Sequence, residues 1–341
     1  MDMLQSLAWP VTDIHTHVVP ANFPKSMGGL PSPIEIGPSC DCGRADVYLD
    51  GRQFRTITNE CWDIDRRLEV MGRMGVDRQL LSPMPELLSF WRPEEEAVAI
   101  ADHVNACLAA MVQRAPERFL ALGMVPLQNP DRAISMLETL MASGVFRGVE
   151  IGTNIAGAAL GDARFHSFFE AAERVGAAIF VHPVRPIIVY PTSEMPALTG
   201  LITAPCETAL AATSLIAADI PAKFPRLRLA FSHGGGALPL LLPRLDHGWK
   251  NTSALHNAFA EPPSAQARRF YYDTLVYDSD SLRFLLHALG KDQLCIGTDL
   301  PFAIAERDPL FHIDALGLPP EDRHRLLHGN ASRFLGYEAG D

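Results

Sequence analysis

Five side chains in this sequence stand where metal or acid–base chemistry could be done. They are His15 and His17 in Asp13-Ile14-His15-Thr16-His17, His182 in Val181-His182-Pro183, His233 in Ser232-His233-Gly234-Gly235-Gly236, and Asp299 in Gly297-Thr298-Asp299-Leu300-Pro301. Each falls at the end of a short apolar run. His15 and His17 are two residues apart, so on a strand both imidazoles point to one face. Those two, a third imidazole from His182 and the Asp299 carboxylate make a set suited to Zn²⁺. The same nitrogen and oxygen donors accept Mn²⁺ or Co²⁺. Such a set leaves a position for water, which a divalent ion acidifies toward neutral pH. A lone strand-end histidine is more often structural. What distinguishes these residues is that all recur at one end of separately predicted strands. The glycines after His233 predict a close approach of something to that backbone. His103, His166, His287, His324 and His328 lie on or beside helical segments, His247 and His256 follow the sixth strand at a distance, and His312 sits in a late loop. These read as structural or surface residues.

The elements that must position the five can be read from periodicity. Short apolar, β-branched runs cover Val11–His17, Arg78–Met84, Phe119–Pro126, Phe146–Thr153, Ala177–Pro183, Leu227–Gly235, Phe270–Val276 and Gln293–Pro301. Between them, 3.6-residue periodicity predicts helices over Ile64–Met74, Glu94–Arg114, Arg132–Ser143, Phe165–Val175, Glu207–Ala218 and Leu282–Leu289. Gly75, Pro116, Gly144, Gly176, Pro225 and Gly290 mark the seams. This alternation predicts a closed parallel α/β barrel, whose strand ends converge on one mouth. An open doubly wound sheet would call for a glycine-rich fingerprint after the first strand, and none is present. The segment 18–62 breaks the rhythm. Its two strand-like pieces, Val47–Leu49 and Gln53–Ile57, flank Asp50-Gly51 and predict a β-hairpin inserted after strand one. Residues 184–206 form a second long loop, and Pro319–Leu335 reads as a closing helix. The expected organisation is one domain over residues 1–341.

Hydrophobic residues make up 48% of the 341 and charged residues 20%, which supports a large core. The net charge of −11 argues against nucleic acid as a partner but leaves room for an anionic small molecule, since a few local arginines can reverse the field in a pocket. Six scattered cysteines are no disulfide framework. Cys107, Cys206 and Cys295 read as small core residues, and the lone Cys40-Asp41-Cys42 pair as structural. The N-terminus lacks a basic segment followed by a long apolar run, and no apolar stretch is expected to approach the ~20 residues of a membrane span. The expectation is a cytoplasmic protein with no membrane partner.

Over nearly the whole chain these residues resemble the amidohydrolase superfamily, and within it the aminocarboxymuconate-semialdehyde decarboxylase-like branch. The likeness is carried by Asp13–His17, by Trp62 leading into Arg66–Asp77, by Val125-Pro126-Leu127-Gln128, Val149–Gly152, Val181-His182-Pro183, Glu207-Thr208, Ser232–Gly236, Gly297–Phe302 and Gly329-Asn330-Ala331-Ser332. The resemblance implies a distorted (β/α)₈ TIM barrel with a small β insertion and zinc on His15, His17, His182 and Asp299. It makes His233 the base toward metal-activated water. It implies that Arg55 in the hairpin and Arg244, reaching across a homodimer interface, hold substrate carboxylates, with Phe302 in the pocket. The implied activity is non-oxidative decarboxylation of a muconate semialdehyde-type or related unsaturated carboxylic acid. Taken alone, Arg55 and Arg244 read as solvated charges. The same fold and metal would also serve a hydroxybenzoate-type aromatic acid, or a hydrolase or hydratase acting on a ring-fission product. A non-catalytic zinc protein is the reading from another class, and an open strand-end site speaks against it. No lysine follows strand four, which disfavours a carbamylated two-metal centre. The run Val184-Arg185-Pro186-Ile187-Ile188-Val189-Tyr190 departs from the family's tryptophan-bearing loop, and Arg185 there is a further candidate anion contact.

Overall fold

Eight parallel strands follow one another around the sheet in sequence order. They are β1 Thr12–Val18, β2 Arg78–Pro83, β3 Phe119–Gly123, β4 Phe146–Gly152, β5 Ala178–His182, β6 Arg228–Phe231, β7 Tyr271–Asp273 and β8 Leu294–Cys295. The structure, a computed structural model, describes residues 10–27, 29–37, 43–188 and 198–337. Cys40, Cys42, Val189 and Tyr190 lie outside the described residues. The strands are continuous apolar runs because helices cover the sheet from outside while its inner face is packed. The barrel closes through backbone bonds between its first strand and the segment that leaves its last. Ile14 N donates to Ile296 O at 2.8 Å, Asp299 N to His15 O at 2.8 Å and His17 N to Leu300 O at 2.7 Å.

The outer helices match the periodicity. Helix α1, Ile64–Met74, begins where the Asp63 side chain accepts from Arg66 N and ends at Gly75, whose φ of 67° needs no Cβ penalty. Helices α2 Glu94–Arg114, α3 Pro130–Ala142, α4 His166–Val175 and α5 Ala204–Ala217 follow their strands in turn. Helix α6, Leu238–Asn251, was not legible from periodicity, because Pro239 in its first turn and Pro243 inside it break the pattern that signals a helix. Helices α7 Ser279–Leu289 and α8 Asn330–Leu335 complete the ring. Asn330 of α8 donates to Lys291 O and Leu294 O at 2.8 and 2.5 Å, at the entrance to β8. Phe334 and Leu335 pack with Ile14, Leu80, Leu122 and Phe180. The C-terminal helix therefore plugs the end of the barrel opposite the histidines.

Two expectations need correction. Strands six and eight are shorter than their apolar runs, ending at Phe231 and Cys295. His233 and Asp299 have φ of 55° and 59°, which the extended ladder cannot accommodate, so both residues turn out of the sheet over the mouth. One stretch is in fact long and apolar enough to cross a membrane by length and composition, Gly200–Ala217 with a mean hydropathy of 1.3. In the fold it contains all of α5, whose Ala209, Ala212, Leu215 and Ile216 are buried against the barrel.

The insertion after β1 is larger than a hairpin. Ile34–Ile36, Arg44–Leu49 and Arg52–Thr58 form a three-stranded antiparallel sheet, turning at Asp50 and Gly51, both at positive φ. Beneath it, the fully buried Arg67 ties this region to β1. Its guanidinium donates to Glu60 O, Thr16 Oγ1, Gln79 Oε1 and His17 O. A buried guanidinium is tolerated only with its donors satisfied, and here they hold the backbone at His17 in place.

Candidate metal centre and its mouth

His15 and His17 leave β1 on the same side, and their Nε2 atoms approach to 3.1 Å. Asp299 Oδ1 lies 3.4 Å from the first and 3.0 Å from the second. His182, at the end of β5, brings its ring to 5.1 and 4.9 Å from the same two imidazoles. One donor atom from each of His15, His17, His182 and Asp299 lies within 4.8 Å of all the others, and all four side chains are buried.

The far nitrogen of each imidazole is occupied. His15 Nδ1 meets Asp273 Oδ2 at 2.6 Å, His17 Nδ1 meets Pro83 O at 2.9 Å and His182 Nδ1 meets Pro183 O at 3.0 Å. Those acceptors place each proton on Nδ1 and turn the Nε2 lone pairs inward, the arrangement that orients metal-binding histidines. His182 Nε2 and Asp299 Oδ1 are buried without a hydrogen-bond partner. Burial, then the imidazoles of His17 and His15, keep His182 well below its ordinary pKa and hence an electron-pair donor. Buried, unpartnered acceptors converging on one point are costly unless a cation satisfies them. The residues present therefore fit a divalent metal with mixed nitrogen and oxygen ligands.

His233 stands beside this set. Its ring lies 5.4 Å from that of His15 and 5.2 Å from that of His182, and its Nδ1 is 3.1 Å from Ser232 Oγ. Burial and the neighbouring His15 lower its pKa, which leaves a neutral ring able to accept a proton. The close approach expected at the following glycines is internal. A Cβ on Gly236 would come 1.9 Å from Pro205 O and one on Gly235 2.7 Å from the Tyr272 ring. These glycines let the turn pack against α5 and β7.

Two carboxylates escaped sequence reasoning. Asp273, the last residue of β7, accepts from His15 Nδ1, from His233 N at 2.9 Å, from Gly234 N at 2.8 Å and from Leu275 N at 3.1 Å. It thus orients one donor of the centre and pins the turn that carries His233. Its only sequence signal is an acid at the end of the seventh apolar run. Glu150, buried near the end of β4, lies 3.9 Å from His17 Nδ1, and burial pushes its carboxyl up to about 8. Strained backbone marks the same rim. Arg185, His233, Tyr277 and Asp299, which follow β5, β6, β7 and β8, all have positive φ.

The hairpin arginine reaches the centre through an aromatic. Phe302 stacks on His17 with ring centroids 5.0 Å apart and 22° between planes, and the Arg55 guanidinium sits 4.4 Å over the Phe302 ring. Glu86 holds Arg55 at 3.0 Å. Arg244 is not brought to the centre within this chain; it lies on the exposed face of α6 with no ion pair or hydrogen bond among the described residues.

The family described as amidohydrolase matches residues 12–337. A 2-amino-3-carboxymuconate-6-semialdehyde decarboxylase of Dictyostelium discoideum is 34% identical over 333 residues, which cover 96% of this chain and 91% of the relative. Among solved structures, the apo IDCase of Metarhizium anisopliae superposes with a TM-score of 0.82 at 22% identity, covering 96% of this chain and 97% of that one. A dihydroxybenzoic acid decarboxylase of Polaromonas sp. JS666, with bound manganese and the inhibitor 2-nitroresorcinol, superposes with a TM-score of 0.71 at 22% identity, covering 82% and 87%.

Proposed function

Since the chain belongs to the amidohydrolase family, we propose that it is a metal-dependent, non-oxidative decarboxylase acting on a muconate semialdehyde-type or related unsaturated carboxylic acid. The observation that carries this reading is a juxtaposition. Four inward-facing donors that seek a cation lie beside Arg55, a carboxylate-seeking group, and Phe302 couples the two by stacking on His17. The identity to the Dictyostelium decarboxylase supports it.

His15, His17, His182 and Asp299 would hold the ion, Zn²⁺ in our reading, and the manganese-bearing fold relative supports a divalent ion there. When bound, it supplies Lewis-acid charge that polarises an oxygen ligand and acidifies water. The rest falls to the chain's own residues. His233 is neutral and faces the centre from outside the donor set, with Nδ1 beside the Ser232 hydroxyl. With Nδ1 donating to that hydroxyl, Nε2 would take a proton from water and deliver it to the carbon left with the electron pair when CO₂ departs, the hydroxide left behind leaving with CO₂ as bicarbonate. Arg55 holds a substrate carboxylate against Phe302, which fixes the scissile bond's direction.

Two expected results follow. Chelation should lower CO₂ release at least ~100-fold, and one equivalent of divalent ion per chain should restore it. The measurement is CO₂ yield alongside metal content. Consumption of substrate without CO₂ would replace this reading with a hydrolase or hydratase. Turnover confined to dihydroxybenzoate-type acids would select the second reading, which the Polaromonas fold relative favours.

We further propose a homodimer in which Arg244, exposed here on α6, serves the partner's centre. Mixing inactive His233→Asn chains with inactive Arg244→Ala chains should then regenerate activity, since one hybrid centre keeps both residues. Mixtures that stay inactive after exchange of chains would place Arg244 outside the site.

A further inference from the structure

Arg185 is built into the rim in a way that an ordinary surface arginine is not. It follows His182 by three residues, at a φ of 45° that a non-glycine residue adopts only under constraint. Asn154, just past β4, holds it there by donating to its carbonyl at 3.1 Å. Its guanidinium lies 4.0 Å over the Trp91 indole. Trp91 in turn meets Phe90 edge-on at 5.2 Å, and the Phe90 ring fills the space beside Gly152, where a Cβ would come within 2.3 Å of it. Gly152 is the register partner of His182. A continuous run of packed groups thus leads from the metal centre to this guanidinium.

Among the described residues the Arg185 side chain makes no hydrogen bond and no ion pair. Asp50, the acid whose field reaches it, is committed to the adjacent Arg92 at 3.0 Å, and Arg92 also takes Glu96 at 2.6 Å. The loop after β2 therefore touches two cations, Arg55 through Glu86 near its start and Arg185 through Trp91 near its end. A guanidinium stacked by its face keeps its edge free, and that edge matches a carboxylate in a two-point contact.

We propose that Arg185 on Trp91 is a subsite for a second carboxylate of the substrate, remote from the metal centre, so that the enzyme selects dicarboxylic over monocarboxylic unsaturated acids. The substrate class rests on the function proposed above; the anion subsite itself does not.

The test is calorimetric binding to the metal-loaded protein of trans,trans-muconate and of sorbate, which has the same diene with a methyl replacing one carboxylate. Wild type should hold muconate about 10-fold more tightly, the ratio one charge-assisted pair supports. Arg185→Gln should erase most of that preference while leaving sorbate within about twofold, and Arg185→Lys should restore part of it, a charge without the fork. Trp91→Leu should act like Arg185→Gln, with thermal melting confirming that each variant folds. Equal loss for both acids in Arg185→Gln, an unchanged preference, or a wild type that holds both alike or neither would overturn the proposal. If the preference tracks Arg185 but no acid is decarboxylated, the subsite stands and the proposed reaction falls. If CO₂ is released while the preference ignores Arg185, the reverse holds.

Discussion

A His233→Asn enzyme is expected to keep its metal and lose about 10³-fold in kcat, within the range that a positioned general acid–base contributes. His233 lies outside the four convergent donors, so removing its ring leaves them intact. Asparagine is the informative replacement because residue 233 has φ 55°, a conformation asparagine tolerates far better than alanine. The turn should survive while the proton carrier is gone. Metal content and kcat measured on the same preparation decide the matter. Loss of the ion would move His233 into the donor set, and near-normal kcat would remove it from proton transfer.

An Asp273→Asn variant should lose at two levels. The carboxylate accepts from four groups, His15 Nδ1 and the amides of His233, Gly234 and Leu275. An asparagine has one acceptor oxygen, so its amide nitrogen must face donors that had been satisfied. Metal affinity should fall about 10- to 100-fold, as when other outer partners of a ligating histidine are removed. Stability should fall by about 1–3 kcal/mol, the cost of leaving a buried donor unpaired. Saturating metal should refill the centre without restoring full kcat, because the His233 turn has lost its anchor. Full recovery of kcat on adding metal would show that Asp273 acts on His15 alone.

The difference between these two residues explains what the sequence discloses. His15, His17, His182, His233 and Asp299 each sit at the end of an apolar run, and a parallel barrel brings such ends together whatever their separation along the chain. The helices α1 and α2 match their expected bounds, α1 because apolar spacing agrees with its Asp63 and Gly75 caps and α2 on apolar spacing alone. Asp273 also ends a strand, but an isolated acid announces nothing until the fold sets it 2.6 Å from a histidine 258 positions earlier. Glu150 is hidden for the same reason. Arg55 could be placed on the hairpin from Asp50-Gly51, yet its seat over Phe302 depends on how the insertion docks. The glycines after His233 signalled crowding correctly, but spacing alone could not say whether a ligand or α5 supplied it.

The donor set also straddles the seam of the barrel. His15 and His17 belong to the first strand, Asp299 follows the last, and the Asp299 N to His15 O bond lies between them. An ion gripped from both sides would act as a rivet joining the two ends of the chain, closing a loop that spans most of the polypeptide. Long loops are the ones whose ends are entropically hardest to hold together. Ion binding and seam closure are then a single linked equilibrium, and the protein's resistance to unfolding should rise with free ion concentration by mass action. On this view the stripped protein first loosens where β8 meets β1, and amide exchange should quicken there before it does in the β2–β5 half of the wall.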